Sequence, residues 1–184
     1  MAEFVYVDNS NVFIEGQRVS AVARGVAMNI YDAIEQKVLD YDYRLDFGRL
    51  HSFAAGSDPS KIRRAMLFGS RPPQNDTLWN IAKSAGFQVV VEDRNVNNRE
   101  KKIDTGIVAA MMKDAYTIVD KADDTITLVA GDGDYVPAVR QLVEDGYQVW
   151  VMFWGHASRE LRSVCSKFVL MDPYLVHFGV RQPG

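Results

Sequence analysis

The 184-residue chain contains one cysteine, Cys165. A lone thiol forms no internal disulfide and builds no thiolate metal site, so a disulfide scaffold and a structural zinc centre are both excluded. Histidine is nearly as scarce: His51, His156 and His177 are scattered, with no pair at ligand spacing, and none is assigned to catalysis. No run of about 18 apolar residues occurs, which rules out a transmembrane helix. The opening Met1-Ala2-Glu3 lacks the basic stretch and long apolar core of a secretory signal, so a cytoplasmic location is expected. Internal repeats and Gly/Ser-rich linkers are missing as well. The net charge of −3 gives no general attraction to nucleic acid and leaves room only for a local basic patch.

What is present reads as one globular domain. Hydrophobic residues make up 47% of the chain and charged residues 24%, which excludes a disordered chain. The length fits a single domain over residues 1–180, with 181–184 as a frayed tail. Short, continuously apolar runs mark strands buried on both faces: Phe4–Val7, Ala65–Phe68, Phe87–Val91, Ile126–Ala130, Gln148–Phe153 and Phe168–Met171. Between them the period becomes helical. Leu78, Ile81, Ala82 and Ala85 form one stripe ending at Gly86; Val136, Val139, Leu142 and Val143 form another ending at Gly146. The stretch from Val12 to Phe53 reads as two helices with an irregular connection. Alternation of strand and helix points to a doubly wound α/β domain.

In such a sheet, ligands bind beyond the carboxyl ends of the strands, where strand order reverses. The two most polar strand ends are Asp8-Asn9-Ser10-Asn11 and Gly131-Asp132-Gly133-Asp134-Tyr135. Asp104, Val108, Met111 and Ala115 share one helical stripe, which places Asp104 at the head of a core-facing helix. Convergence of Asp8, Asp104, Asp132 and Asp134 would be costly: two like charges about 4 Å apart repel by roughly 4 kcal/mol at an effective dielectric of about 20. Such a cluster requires protons or cations, and an all-oxygen donor set suits Mg²⁺ or Mn²⁺. Each piece also has a purely structural reading: Asn9 or Asn11 as a helix N-cap, Asp132-Gly133 as a turn, Asp134 as the cap before Pro137, Asp104 as a helix-start carboxylate.

Taken in order, Tyr6-Val7-Asp8-Asn9-Ser10-Asn11, Lys102-Ile103-Asp104 and Leu128-Val129-Ala130-Gly131-Asp132-Gly133-Asp134-Tyr135 resemble the NYN domain, the LabA-like branch of the PIN-like nuclease superfamily. The likeness spans residues 3 to 170. It implies a PIN-like fold, a mainly parallel sheet of strand order 3-2-1-4-5 with helices on both faces. It also implies a Mg²⁺- or Mn²⁺-dependent ribonuclease in which Asp8, Asp104, Asp132 and Asp134 supply the metal ligands. Asn9 and Asn11 would hold the first loop and touch substrate. Two positions depart from the family pattern: Ala110 and Ser166 stand where many members carry acidic residues. These departures bear on a second metal position. They keep open a non-cleaving RNA- or nucleotide-binding or assembly module of the same fold.

The polar, basic segment Arg94–Lys102 follows the third strand and precedes Asp104, so Arg99, Lys101 and Lys102 are candidates for holding the phosphates of an RNA substrate. Arg71, after the second strand, is another. Tyr135 could stack on a base or simply pack. Two other readings fail on specific residues. A phosphoaspartyl phosphatase needs a second Asp two residues after the first, and here that place is Ser10; a dinucleotide domain needs Gly-x-Gly-x-x-Gly after the first strand. The sequence is compatible with pairing of two copies or with a protein partner and favours neither.

Overall fold

A computed structural model of the chain describes residues 1–71, 76–93 and 99–180. The expected tail 181–184 and part of the basic segment, 94–98, lie outside the described residues. The strands are β1 (Glu3–Asp8), β2 (Ile62–Arg71), β3 (Gln88–Asp93), β4 (Thr125–Val129), β5 (Gln148–Phe153) and β6 (Lys167–Leu170). The helices among the described residues are α1 (Asn9–Ala23), α2 (Ile30–Glu35), α3 (Phe47–Ala55), α4 (Thr77–Ser84), α5 (Arg99–Thr117), α6 (Val136–Glu144), α7 (Arg159–Val164) and α8 (Leu175–Phe178).

All strand pairs are parallel, in the order β3-β2-β1-β4-β5-β6. The expected order 3-2-1-4-5 is thus present and extended by β6. Successive side chains of β1 point to opposite faces and seed two cores. Val5 and Val7 join Val12, Phe47, Leu50, Trp79 and Phe178 on one face. Phe4 and Tyr6 join Ile107, Met111, Val139, Leu142 and Leu161 on the other. This is a doubly wound α/β architecture, with the reversal between the neighbours β1 and β4.

Three local readings need correction. Residues 12–53 hold three helices rather than two: the Asn29 side chain accepts hydrogen bonds from the backbone N–H groups of Tyr31 and Asp32 and starts α2. Along α4, Trp79 and Ala82 are buried, whereas Leu78 and Ile81 are exposed. The large indole wins the inward face because it lies over Gly69, where an added Cβ would come within 2.3 Å of the ring. In α5 the core stripe is Ile103, Ile107, Met111 and Ala115, with Asp104 and Val108 at its margin. The two stripes share Met111 and Ala115 and differ only in the first two turns, where the bulkier apolar Ile103 and Ile107 take the inward face.

The switch point is tightly packed. Gly131, just after β4, is buried against Phe153, and a Cβ there would stand 2.0 Å from the ring. Phe153 is itself buried and cannot swing away. Gly131→Ala is therefore expected to cost about 1–3 kcal/mol. Urea unfolding would show a lower midpoint at unchanged slope; an unchanged midpoint would contradict this packing.

Candidate active site

Asp8 ends β1 and is also the N-cap of α1, its Oδ1 accepting from the Asn11 backbone N–H at 3.1 Å. The capping role expected of Asn9 or Asn11 thus falls to the aspartate itself, which is only 5% exposed. The Asn11 side chain does hold the loop: its Oδ1 accepts from the Gly131 N–H at 2.9 Å and ties the start of α1 to the end of β4. Asn9 is buried, and its side-chain oxygen has no hydrogen-bond partner in the described structure. That burial suits a part in shaping the loop better than direct contact with a ligand.

Asp104 arrives on the first turns of α5, on the same face of the sheet as Phe4 and Tyr6 of β1. It meets Asp8 at a residue the sequence reading treated as packing or stacking. The Tyr135 hydroxyl lies 3.0 Å from Asp8 Oδ2 and 2.9 Å from Asp104 Oδ1. Tyr135 is fully buried, so its ring does pack, but its oxygen bridges two carboxylates. One phenolic proton serves one acceptor at a time, so the second carboxylate needs a proton or cation of its own. Nothing in residue spacing signals this hydroxyl. Only the aromatic after Asp132-Gly133-Asp134 marks the position.

Asp132 and Asp134 lie at the solvent rim, at the 3₁₀ turn Gly133–Tyr135. Asp132 Oδ1 accepts from the Asp134 N–H at 3.0 Å, so Asp132 is the cap expected of Asp134. Burial pushes the Asp8 carboxyl up to about 6, and the neighbouring Asp104 charge adds to the shift; the Asn11 N–H and the Tyr135 hydroxyl act against it. Burial also raises Asp104, helped by the charges of Asp132 and Asp134 and opposed by Tyr135. All four aspartates are therefore electrostatically linked. Burial and the two adjacent carboxylates drive the Tyr135 phenol far above its ordinary value, so it remains protonated.

The donor set is oxygen throughout. Among the described residues no three His, Cys, Asp or Glu side chains stand close enough to hold an ion unaided. Mg²⁺ rarely asks for that: it is commonly held by one or two carboxylates, keeps several waters and takes further ligands from substrate phosphates. The Asp8–Asp104 pair fits such a hydrated, hard cation. The side chains of Arg71, at the end of β2, and of Arg99, Lys101 and Lys102, in the first turns of α5, lie outside the described structure. Asp114 faces elsewhere, accepting from the Tyr6 hydroxyl at 2.7 Å and Arg64 Nε at 3.0 Å. Ser166 bonds to Val149 at the amino end of the sheet, remote from this edge.

These shifts carry a pH dependence. A carboxyl raised from 3.8 to about 6 binds more protons folded than unfolded across that interval. In metal-free protein the contribution of this carboxyl is full below about pH 4, falls by up to about 3 kcal/mol as pH rises to 6, and levels off above. Asp8→Asn keeps the cap acceptor and removes the buried charge. It should be more stable than wild type at pH 7.5 in chelator and show no such gain at pH 4. Equal gains at both values, measured by urea unfolding, would refute the assignment. Tyr135→Phe should cost about 1–3 kcal/mol at pH 7.5 by leaving both carboxylates without their donor, and the loss should shrink in the Asp8→Asn background.

Comparison with known proteins agrees with this architecture. The NYN domain model matches residues 5–172, nearly the whole chain. No curated protein matches it. Among solved structures, the crystal structure of a protein of unknown function from Vibrio parahaemolyticus is similar with a TM-score of 0.67 and 19% identity, covering 97% of this chain and 96% of that one. At that identity the likeness is one of fold. With the sheet order, the paired strand ends and the family match in agreement, the chain belongs to the NYN domain family, a nuclease-like branch of the PIN-like superfamily.

Proposed function

We propose that this chain is a cytoplasmic Mg²⁺- or Mn²⁺-dependent endoribonuclease, centred on Asp8, Asp104, Asp132 and Asp134. The observation that carries the reading is the meeting of Asp8 and Asp104 at one buried hydroxyl. Their position at the carboxyl edge, where β1 and β4 part, is where sheets of this kind take ligands. A bound divalent cation supplies Lewis-acid polarisation of a phosphodiester and a more acidic water. Asp8 and Asp104 would hold that ion from the floor of the site. Asp132 and Asp134, on the exposed rim, would hold its waters and meet the solvent from which the attacking water comes. Tyr135 keeps the two inner carboxylates together and remains a donor throughout. Asn11 keeps the loop in place, and Asn9 shapes it from beneath. Arg71 ends β2, and Arg99, Lys101 and Lys102 open α5 on the same edge, where cations would grip the phosphates flanking the scissile bond.

A second reading, a non-cleaving RNA- or nucleotide-binding module, draws support from the same structure. The described residues offer no ready three-ligand cation site, and Ala110 and Ser166 replace acidic family positions. The deciding experiment is cleavage of labelled RNA and DNA oligonucleotides in Mn²⁺, Mg²⁺ or chelator. We expect RNA cutting that requires the cation and falls by about 100-fold or more in Asp8→Asn and Asp132→Asn proteins of native fold. Cutting by Asp132→Asn at the wild-type rate would remove Asp132 from the centre. Binding without cutting would favour the second reading.

A further inference from the structure

We infer that a cavity beside the acidic centre is a nucleobase pocket that selects guanine in the RNA strand, an inference that rests on the ribonuclease reading for its ligand class. The cavity, about 350 Å³, lies between α1, α2 and the chain segments that follow β5 and β6. That volume is at the lower end of the range for small-ligand sites. Val19, Val22 and Leu175 line it with apolar surface, and His156, Asp172 and Tyr31 line it as well.

The polar wall is built rather than incidental. Asp172 Oδ2 accepts from the Gly155 N–H at 2.6 Å, which fixes the carboxylate. His156 has a side chain only 9% exposed; its Nε2 lies 2.5 Å from Glu15 Oε2, and Glu15 also pairs with Arg18. Tyr31 is held in α2 by the Asn29 cap, with its N–H 3.0 Å from Asn29 Oδ1, yet the residue is 69% exposed. Exposed aromatic surface of this kind supports stacking.

Chemistry then narrows the occupant. A fixed carboxylate repels phosphates and other anions and calls for N–H donors. Apolar walls disfavour a ligand covered in hydroxyls. A flat ring with apolar faces and N–H groups on one edge satisfies both, and single-stranded RNA presents its bases in that way. Guanine places N1–H and N2–H₂ side by side, matched to the two oxygens of one carboxylate. Uracil flanks its single N–H with carbonyl oxygens that a carboxylate repels.

The segment after β5, which carries Gly155 and His156, is tied to the loop after β4 and to the start of α1. The Ser158 N–H donates to the Gly131 carbonyl at 2.8 Å, and Trp154 Nε1 donates to the Val12 carbonyl at 3.0 Å. From Asp8, α1 runs about 15 Å to Val19 on the cavity wall, and an RNA strand engaging both sites would have to cover that distance.

The test is a chemical-shift titration of the labelled full chain, in chelator so that nothing is cut. The probes are GMP, UMP and a short oligoribonucleotide carrying one guanine. We expect GMP to bind at least tenfold tighter than UMP, and the oligoribonucleotide tighter than GMP. Asp172→Asn, which keeps an acceptor for Gly155, should abolish the preference for guanine. Tyr31→Ala, at an exposed position, should weaken every base alike. Equal binding of GMP and UMP, no binding of either, or indifference to both variants would overturn the pocket. GMP binding as tightly as the oligoribonucleotide would overturn its role in strand recognition. Asp8→Asn should leave GMP binding unchanged, so loss of cutting and loss of the pocket are read separately.

Discussion

The desolvation of one carboxylate governs this structure. Asp8 stands at the end of the central strand, between two neighbouring strands, and burial first, then the adjacent Asp104, pushes its proton affinity up. An isolated buried charge would not persist there. It is tolerated because the Asn11 N–H and the Tyr135 hydroxyl supply donors, while the nearby Asp104 charge acts against it. The domain thus carries a locally unfavourable charge arrangement on an otherwise well-packed frame, a pattern associated with functional rather than structural selection.

The frame makes that arrangement rigid. Gly131 connects three elements: its N–H serves Asn11, its carbonyl accepts from Ser158, and its missing side chain admits Phe153. The loops after β1, β4 and β5 therefore act as one unit, and α1 leads from that unit toward the His156–Asp172 cavity.

Much of this was legible in the residues. Continuous apolar runs marked all six strands, but the expected burial on both faces holds only at the centre. There β1 and β4 are covered, whereas the edge strands β3 and β6 have no fully buried residue among those described, because each has a neighbour on one side only. The polar strand ends marked the edge, because backbone and side chains there need partners that the sheet no longer provides. The start of the middle helix was visible too, but its inward stripe was misjudged, since Asp104-Val108 and Ile103-Ile107 fit the same period. Leu78 and Ile81 were misjudged for a similar reason: periodicity counts apolar residues and does not weigh Trp79 against them.

By itself, the sequence determined the alternation of strand and helix, the parallel sheet and the set of aspartates at its edge, since local patterning and chain connectivity suffice for each. Tertiary structure alone decided that Asp8 is buried while Asp132 and Asp134 are exposed, that the Tyr135 oxygen joins the carboxylates of a strand end and a helix start far apart in the chain, and that His156 turns inward to Glu15. Each of these depends on distances between residues far apart in the chain. Desolvation, coupling between charges and the reach of a hydroxyl are set by such distances and by nothing local.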